Sequence, residues 1–593
     1  MRLRQGISML VLLSLGPGIP AQLPAAADFM AAGELRRGMR GIGKTVFQGA
    51  AIDTFAAEIL GVAQGILGPK RDLILARLSG GPLGRTGVIA GMSGSPVYID
   101  GRMIGAVAYA FPFSKVPICG ITPVHEMLQV MDRSMDPLPE EQRVRAHLEL
   151  DSTAAALVEE TLGNLEVHGP VALEPLATPV WVTGISAGDA AVLGDILRPL
   201  GLRVQASPGG QAQDKGEIPF LPGAAIGVQL IAGDLSATGI GTLTHVDGDR
   251  ILAFGHPMML SGSTDMPMTQ AYIYDVIPSR FLSFKLGAAT RPVGAIRQDR
   301  VAAIAGMLGA VPDMLPVEIG VATSAMVEPY RFELLRHRDL TPRLAWFVLL
   351  KTVETAEKLF GASTLLMRAH IQLSDGRSVQ WEQVYGGPAA VFNAAEEVMR
   401  PLNILAKSPF HGLELDELRF ELELSENIEG AVVRSVRVVN PDLEVGETLD
   451  LEVVLQPYRR PPVEQRLELA LPSDLEAGPL LLRVGSGAAG ERWERARLPD
   501  GFRPRDSGHL LELMEYHERN DELIVELYRS GPSLTLEGRE LPGLPPSVRS
   551  ILEEERSSGH LGPVHGQVVL RKRIRTEYVL SGAQTLDLTL GKP

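Results

Sequence analysis

Cysteine is almost missing from this 593-residue sequence, where Cys119 stands alone. A single thiol excludes an intrachain disulfide framework and any zinc site built from several cysteines, so stability has to come from packing. Cys119 follows the apolar run Val116–Pro117–Ile118 and reads as a buried, inert side chain rather than a nucleophile. Positive charge is also in deficit: 56 Lys and Arg stand against 71 Asp and Glu, a formal net charge of −15. That balance argues against nucleic-acid binding, which relies on clustered basic residues. Past the first residues no apolar run reaches the roughly 18 residues that a membrane-spanning helix needs. The twelve histidines show no His-Glu-x-x-His spacing, and no glycine-rich phosphate loop ending in Gly-Lys-Ser/Thr occurs, so no metal or cofactor is expected. No fixed-period repeat is present.

What is there is a long, ordinary globular composition, 45% hydrophobic and 21% charged. The length exceeds what one core supports, which points to three or four domains. Residues 1–27 read as a secretory signal: basic Arg2 and Arg4, the apolar stretch Ile7 to Leu15, and Ala25-Ala26-Ala27 ahead of Asp28. An uncleaved anchor or a buried helix is the competing reading. Removal of the signal would leave a protein without a stable membrane span, in a periplasm or secreted, with its oligomeric state open.

The remainder divides by pattern. Residues 28–131 carry short β-like runs broken by glycine, among them Gly41 to Phe47, Leu73 to Leu78 and Ile104 to Ala110, as expected of half a β-barrel. Residues 132–222 are charged and alanine-rich, then flexible at Ser207-Pro208-Gly209-Gly210, and read as a helical insertion and linker. Strand patterns return over 223–310, with a hairpin signal at Asp247-Gly248-Asp249, and suggest a second β half. Residues 311–412 form an α+β extension around a helix expected over Pro342 to Phe360. Alternation over 413–486 suggests an immunoglobulin-like β-sandwich, and 487–593 an α/β region. The basic run Arg571-Lys572-Arg573 reads as a solvated strand or turn.

Two runs could carry chemistry. In Val88-Ile89-Ala90-Gly91-Met92-Ser93-Gly94-Ser95-Pro96, glycines flank a serine in a tight turn between apolar strands. A nucleophilic serine needs such a turn, whose backbone amides also face the developing oxyanion. A plain glycine-serine hairpin has the same appearance. In the second, Gly239 to Thr244 is followed by Ile251-Leu252-Ala253-Phe254-Gly255-His256-Pro257. A histidine ending an apolar strand suits a general base, although a lone histidine such as His256 is more often a structural residue, and His125 and His245 compete for the role.

Together these runs resemble the stage IV sporulation protein B (SpoIVB) serine peptidase family, relatives of chymotrypsin and HtrA-type enzymes. The likeness covers Gly41 to Leu128, including Asp100 to Val107 and Gly120-Ile121-Thr122-Pro123, and Ile226 to Gly306, including Gly294 to Arg300. It implies a mainly β, multidomain chain with a chymotrypsin-like double β-barrel core, the serine half preceding the histidine half. It further implies an exported serine endopeptidase acting on envelope proteins or on itself through an acyl-enzyme, with a protein or peptide substrate. Ser93 would be the nucleophile, His256 the base, and the amides of Gly91 and Ser93 the oxyanion hole. The chain departs from the family in three respects. The family's histidine region comes first, no PDZ module is identifiable, and at the family's acid position stand Leu78, Ser79 and Gly80. Asp72 is the first candidate acid and Asp265 the second. The missing carboxylate keeps a catalytically inactive scaffold in view.

Overall fold

The computed structural model describes residues 28–111, 113–136, 173–207, 220–322, 327–357, 363–536, 539–541, 545, 547–548 and 561–591. The expected leader lies outside the described residues, as do 137–172 and 208–219 of the expected insertion. The chain is mainly β.

Seven strands open the described chain: β1 (Arg40–Thr45), β2 (Asp53–Ala63), β3 (Leu73–Ser79), β4 (Ile89–Ala90), β5 (Pro96–Ile99), β6 (Arg102–Ala110) and β7 (Ile118–Pro123). Six of them pair antiparallel in the circuit β5-β1-β2-β3-β7-β6 and back to β5, a closed barrel without free edges. Its interior is filled by Phe55, Ile74, Leu78, Val97, Ile104, Val107 and Ile121 among others. Cys119 is buried in this core, and burial pushes its thiol pKa up, which leaves it unreactive.

The stretch expected to be a linker adds strands of its own. After a two-residue strand, β8 (Glu174–Pro175), β9 (Thr178–Thr183) pairs in parallel with β10 (Leu202–Ala206) across the helix Ala187–Leu197. The Ser186 hydroxyl caps that helix by accepting from the Asp189 amide. This βαβ unit was hidden because β9 is buried along its whole length and so lacks the alternation that marks a half-exposed strand.

Next come β11 (Ala225–Gly233), β12 (Ser236–Asp247), β13 (Arg250–Ala253), β14 (Gly262–Ile277), β15 (Ser283–Arg300) and β16 (Ala303–Leu308). They pair antiparallel in the order β12-β13-β16-β15-β14-β11, and a further β11–β12 ladder returns to the start. This circuit belongs to one larger sheet that runs on through β18 (Val327–Leu335), β17 (Met314–Ala322), β21 (Leu415–Ser425), β19 (Ser363–Leu373) and β20 (Ser378–Gly387). The helices Thr341–Glu357 and Ala390–Lys407 share its core through Leu344, Phe347, Val398 and Leu402.

Leu415–Ser425 alternates as a sandwich strand should, yet it pairs with β17 and β19. The two sheets that share the C-terminal core instead take strands from Gly430 to Gly591, joined through residues such as Val453, Leu482, Val525 and Leu590. Arg571 pairs there with Glu526 and Glu494, and Arg573 with Glu518. Carboxylates therefore neutralise most of the basic run.

The barrel is fastened to the larger sheet at several points. β4 pairs in parallel with β15, and Gly49 bridges Ile273. The Ser283 hydroxyl donates to the Thr86 carbonyl at 2.6 Å. The Ser93 run lies on this junction.

Candidate functional site

Two successive turns shape the Ser93 run. Met92 N–H bonds Ile89 O, and Ser95 N–H bonds Met92 O. Gly91 and Gly94 occupy the third position of each turn with φ of 93° and 92°, a conformation open to glycine at little cost. Gly94 is doubly constrained, because a Cβ there would lie 2.0 Å from Thr242 O and 2.5 Å from Phe254 N.

Strand β12 grips the carbonyls of these turns. The Thr242 amide donates to Ser93 O at 2.8 Å, its hydroxyl to Gly91 O at 2.9 Å, and the Thr244 hydroxyl to Gly94 O at 2.7 Å. The two threonines thus explain chemically why the two runs belong together. Gly241 leaves room for the Phe254 ring, whose atoms would stand 2.2 Å from an added Cβ.

His256 follows a strained backbone. Phe254 has φ of +71°, and Gly255 N–H bonds Ala253 O at 2.9 Å, the signature of the rare γ-turn with a positive central φ. The Gly255 carbonyl accepts from the Thr122 hydroxyl at 2.6 Å, which ties the turn to β7. Beyond the histidine, the buried Asp299 carboxylate on β15 accepts from the amides of Met258 and Met259 at 2.8 Å and Ser261 at 3.1 Å. Burial raises the Asp299 pKa, while these backbone donors oppose the rise.

Ser93 is 0% exposed and His256 2%. His256 Nδ1 lies 2.7 Å from Pro257 O. A carbonyl only accepts, so Nδ1 carries the proton and Nε2 is left with its lone pair. Among the described residues neither Nε2 nor Ser93 Oγ has a hydrogen-bond partner, although both are buried, and no hydrogen bond joins them. Burial depresses the imidazole to about 4, with the Pro257 contact opposing it.

The other sequence candidates are placed elsewhere. Asp72 accepts from the Gly65 amide at 3.0 Å, and Asp265 pairs with Arg297 at 2.5 Å and accepts from the Asp313 amide. Neither carboxylate is among the hydrogen-bond partners found for His256. His125 is exposed, and His245 packs edge-on against Phe29.

Lys285 went unnoticed in the sequence. It is fully buried, its stem lies against Gly91, and Nζ donates to the hydroxyls of Thr45 at 2.8 Å and Thr242 at 3.2 Å. No ion pair among the described residues engages it. Burial lowers its pKa to about 7 against the opposing charge of Asp53. The available signal was its position two residues after Ser283, on the inward side of β15's alternation.

A 380 Å³ surface depression beside β1 and β5 is lined by Arg40, Lys44, Tyr98 and Asp100, and neither Ser93 nor His256 reaches it. Among the described residues, no group of three or more His, Cys, Asp or Glu is arranged to hold a metal ion. Likewise, no described helix is long and apolar enough to cross a membrane. Set against protein-family models, curated proteins and solved structures, the chain finds no match in any of the three.

Proposed function

We propose that this chain is an exported serine endopeptidase of the SpoIVB type, built on a chymotrypsin-like double barrel with its halves in exchanged order. Its substrate would be a polypeptide of the cell envelope or the chain itself, and its setting the periplasm or the exterior. Ser93 is the nucleophile, His256 the general base, and the amides of Gly91 and Ser93 hold the oxyanion.

One observation carries this reading. Ser93 Oγ and His256 Nε2 are complementary and buried, have no hydrogen-bond partner among the described residues, and lie on turns packed against one another through Gly94 and Phe254. Buried polar atoms normally find partners, and a missing one calls for an explanation such as catalysis. The Pro257 carbonyl performs part of the absent acid's work, since it fixes the tautomer that leaves Nε2 free to take a proton. It supplies no negative charge to the imidazolium, so a slow enzyme is expected. Full burial further requires the junction to open before a substrate enters.

The inactive scaffold is favoured by one specific observation: among the described residues no carboxylate bonds to His256. A fluorophosphonate probe on the full-length protein separates the two. Labelling that vanishes in Ser93→Ala and His256→Ala supports the peptidase. A folded protein that takes up no label supports the scaffold.

A further inference from the structure

Two loop tips carry an apolar pair that the fold does not bury. Phe113, between β6 and β7, and Phe281, between β14 and β15, meet edge-to-face with ring centroids 5.0 Å apart. Phe113 is 70% exposed and Phe281 39%, while Val116 on the first loop and Ile277 at the end of β14 are 42% and 36% exposed. Single exposed apolar residues are ordinary, but two exposed rings in contact from separate loops form a patch. Phe113 also has φ of +59°, an unusual conformation for a bulky residue.

Three cations outnumber the two acids around the pair, Asp275 and Glu174, the latter exposed on β8 opposite Ala110 at the base of the Phe113 loop. Lys115 and Arg280 are exposed neighbours on the two loops, and the Arg203 guanidinium lies 4.8 Å from the Phe281 ring centroid. Among the described residues no ion pair engages any of the three. Asp275 is the one acid on the Phe281 hairpin between Tyr274 and Phe284. This is a local excess of positive charge on a chain whose net charge is −15.

We infer that the Phe113–Phe281 tips and their basic flank form a peripheral docking surface for an anionic lipid bilayer. Aromatic rings settle at the headgroup level, and nearby Lys and Arg are drawn to anionic lipid. Exposed rings flanked by exposed Lys115 and Arg280 suit a negatively charged sheet of headgroups. The inference is independent of the chemistry at Ser93.

The test is co-sedimentation of the full-length protein with vesicles of phosphatidylcholine alone or with roughly one-third phosphatidylglycerol, the anionic component. Binding is expected to the anionic vesicles only, and to weaken at high salt because the attraction is screened. Lys115→Glu/Arg280→Glu should reduce partitioning more than tenfold at unchanged melting temperature, with each lost cation worth about fivefold. Phe113→Ser/Phe281→Ser should reduce it by tenfold or more. Failure to bind anionic vesicles overturns the proposal, as does undiminished binding by the folded charge-reversal variant. A dimer in sedimentation equilibrium that is lost in the phenylalanine variant would assign the patch to a second copy and overturn it too.

Discussion

Thr242 holds Ser93 in place: its amide donates to the Ser93 carbonyl at 2.8 Å, while its hydroxyl reaches back to Gly91 O in the preceding turn. One residue of the larger sheet therefore clamps the turn at two points. Thr242→Val keeps the shape and the amide bond but leaves the Gly91 carbonyl without its hydroxyl donor and Lys285 Nζ without one of its two acceptors. The cost is expected to be about 1–3 kcal/mol, as for other stranded buried acceptors, read as a lower urea midpoint at constant slope. An unchanged midpoint would show that the clamp contributes nothing.

Gly94→Ala tests the close approach directly. The new methyl would stand 2.0 Å from Thr242 O in a backbone with φ of 92°. Either the junction separates or the turn rearranges, at a cost of about 3 kcal/mol or more. Gly84→Ala, in a helical turn where an added Cβ meets nothing within 4 Å, is the control and should unfold at or slightly above the wild-type midpoint.

His256 gives a pH dependence whose sign follows from its depressed pKa. The folded imidazole titrates near 4 and the ordinary one near 6.5, so the unfolded chain binds more protons between these values. Its contribution is present above pH 6.5 and is lost as pH falls toward 4, by up to roughly 3 kcal/mol. In His256→Phe this acid-side slope should flatten when unfolding is followed from pH 7 to 4. If Ser93 labels, the labelling rate should be level from pH 5 to 8, and a rise through 6.5 would count against a buried base.

How much of this was legible in the sequence depends on how local each feature is. The Ser93 turn was readable because its two glycines sit within six residues and encode the backbone directly. His256 and the strand before it were readable for the same reason. A carboxylate partner for His256 was not: Asp72 and Asp265 contact Gly65, Arg297 and Asp313 instead. Lys285 escaped notice because its partner Thr45 lies 240 residues away, and only the tertiary fold brings the two together. Leu415–Ser425 shows the same limit, since alternation identifies a strand with one buried face and leaves its neighbours unnamed. Arg571 and Arg573 looked like free charge until folding supplied Glu526 and Glu518.

Lys285 provides the last prediction, again from the proton balance. Its folded pKa is about 7 against an ordinary 10.5, so between these values the unfolded chain is the more protonated. Stability must then rise with pH across that window, which is opposite to the usual behaviour of an ion-paired lysine. The slope from this one group is about 1 kcal/mol per pH unit. Lys285→Met, similar in length and uncharged, removes the titration together with one donor to each of the Thr45 and Thr242 hydroxyl oxygens. Urea unfolding from pH 7 to 9.5 should show the wild type gaining stability relative to the variant as pH rises. Parallel curves would mean that Lys285 stays charged in the folded protein, and that its burial is compensated by more than the two threonine hydroxyls.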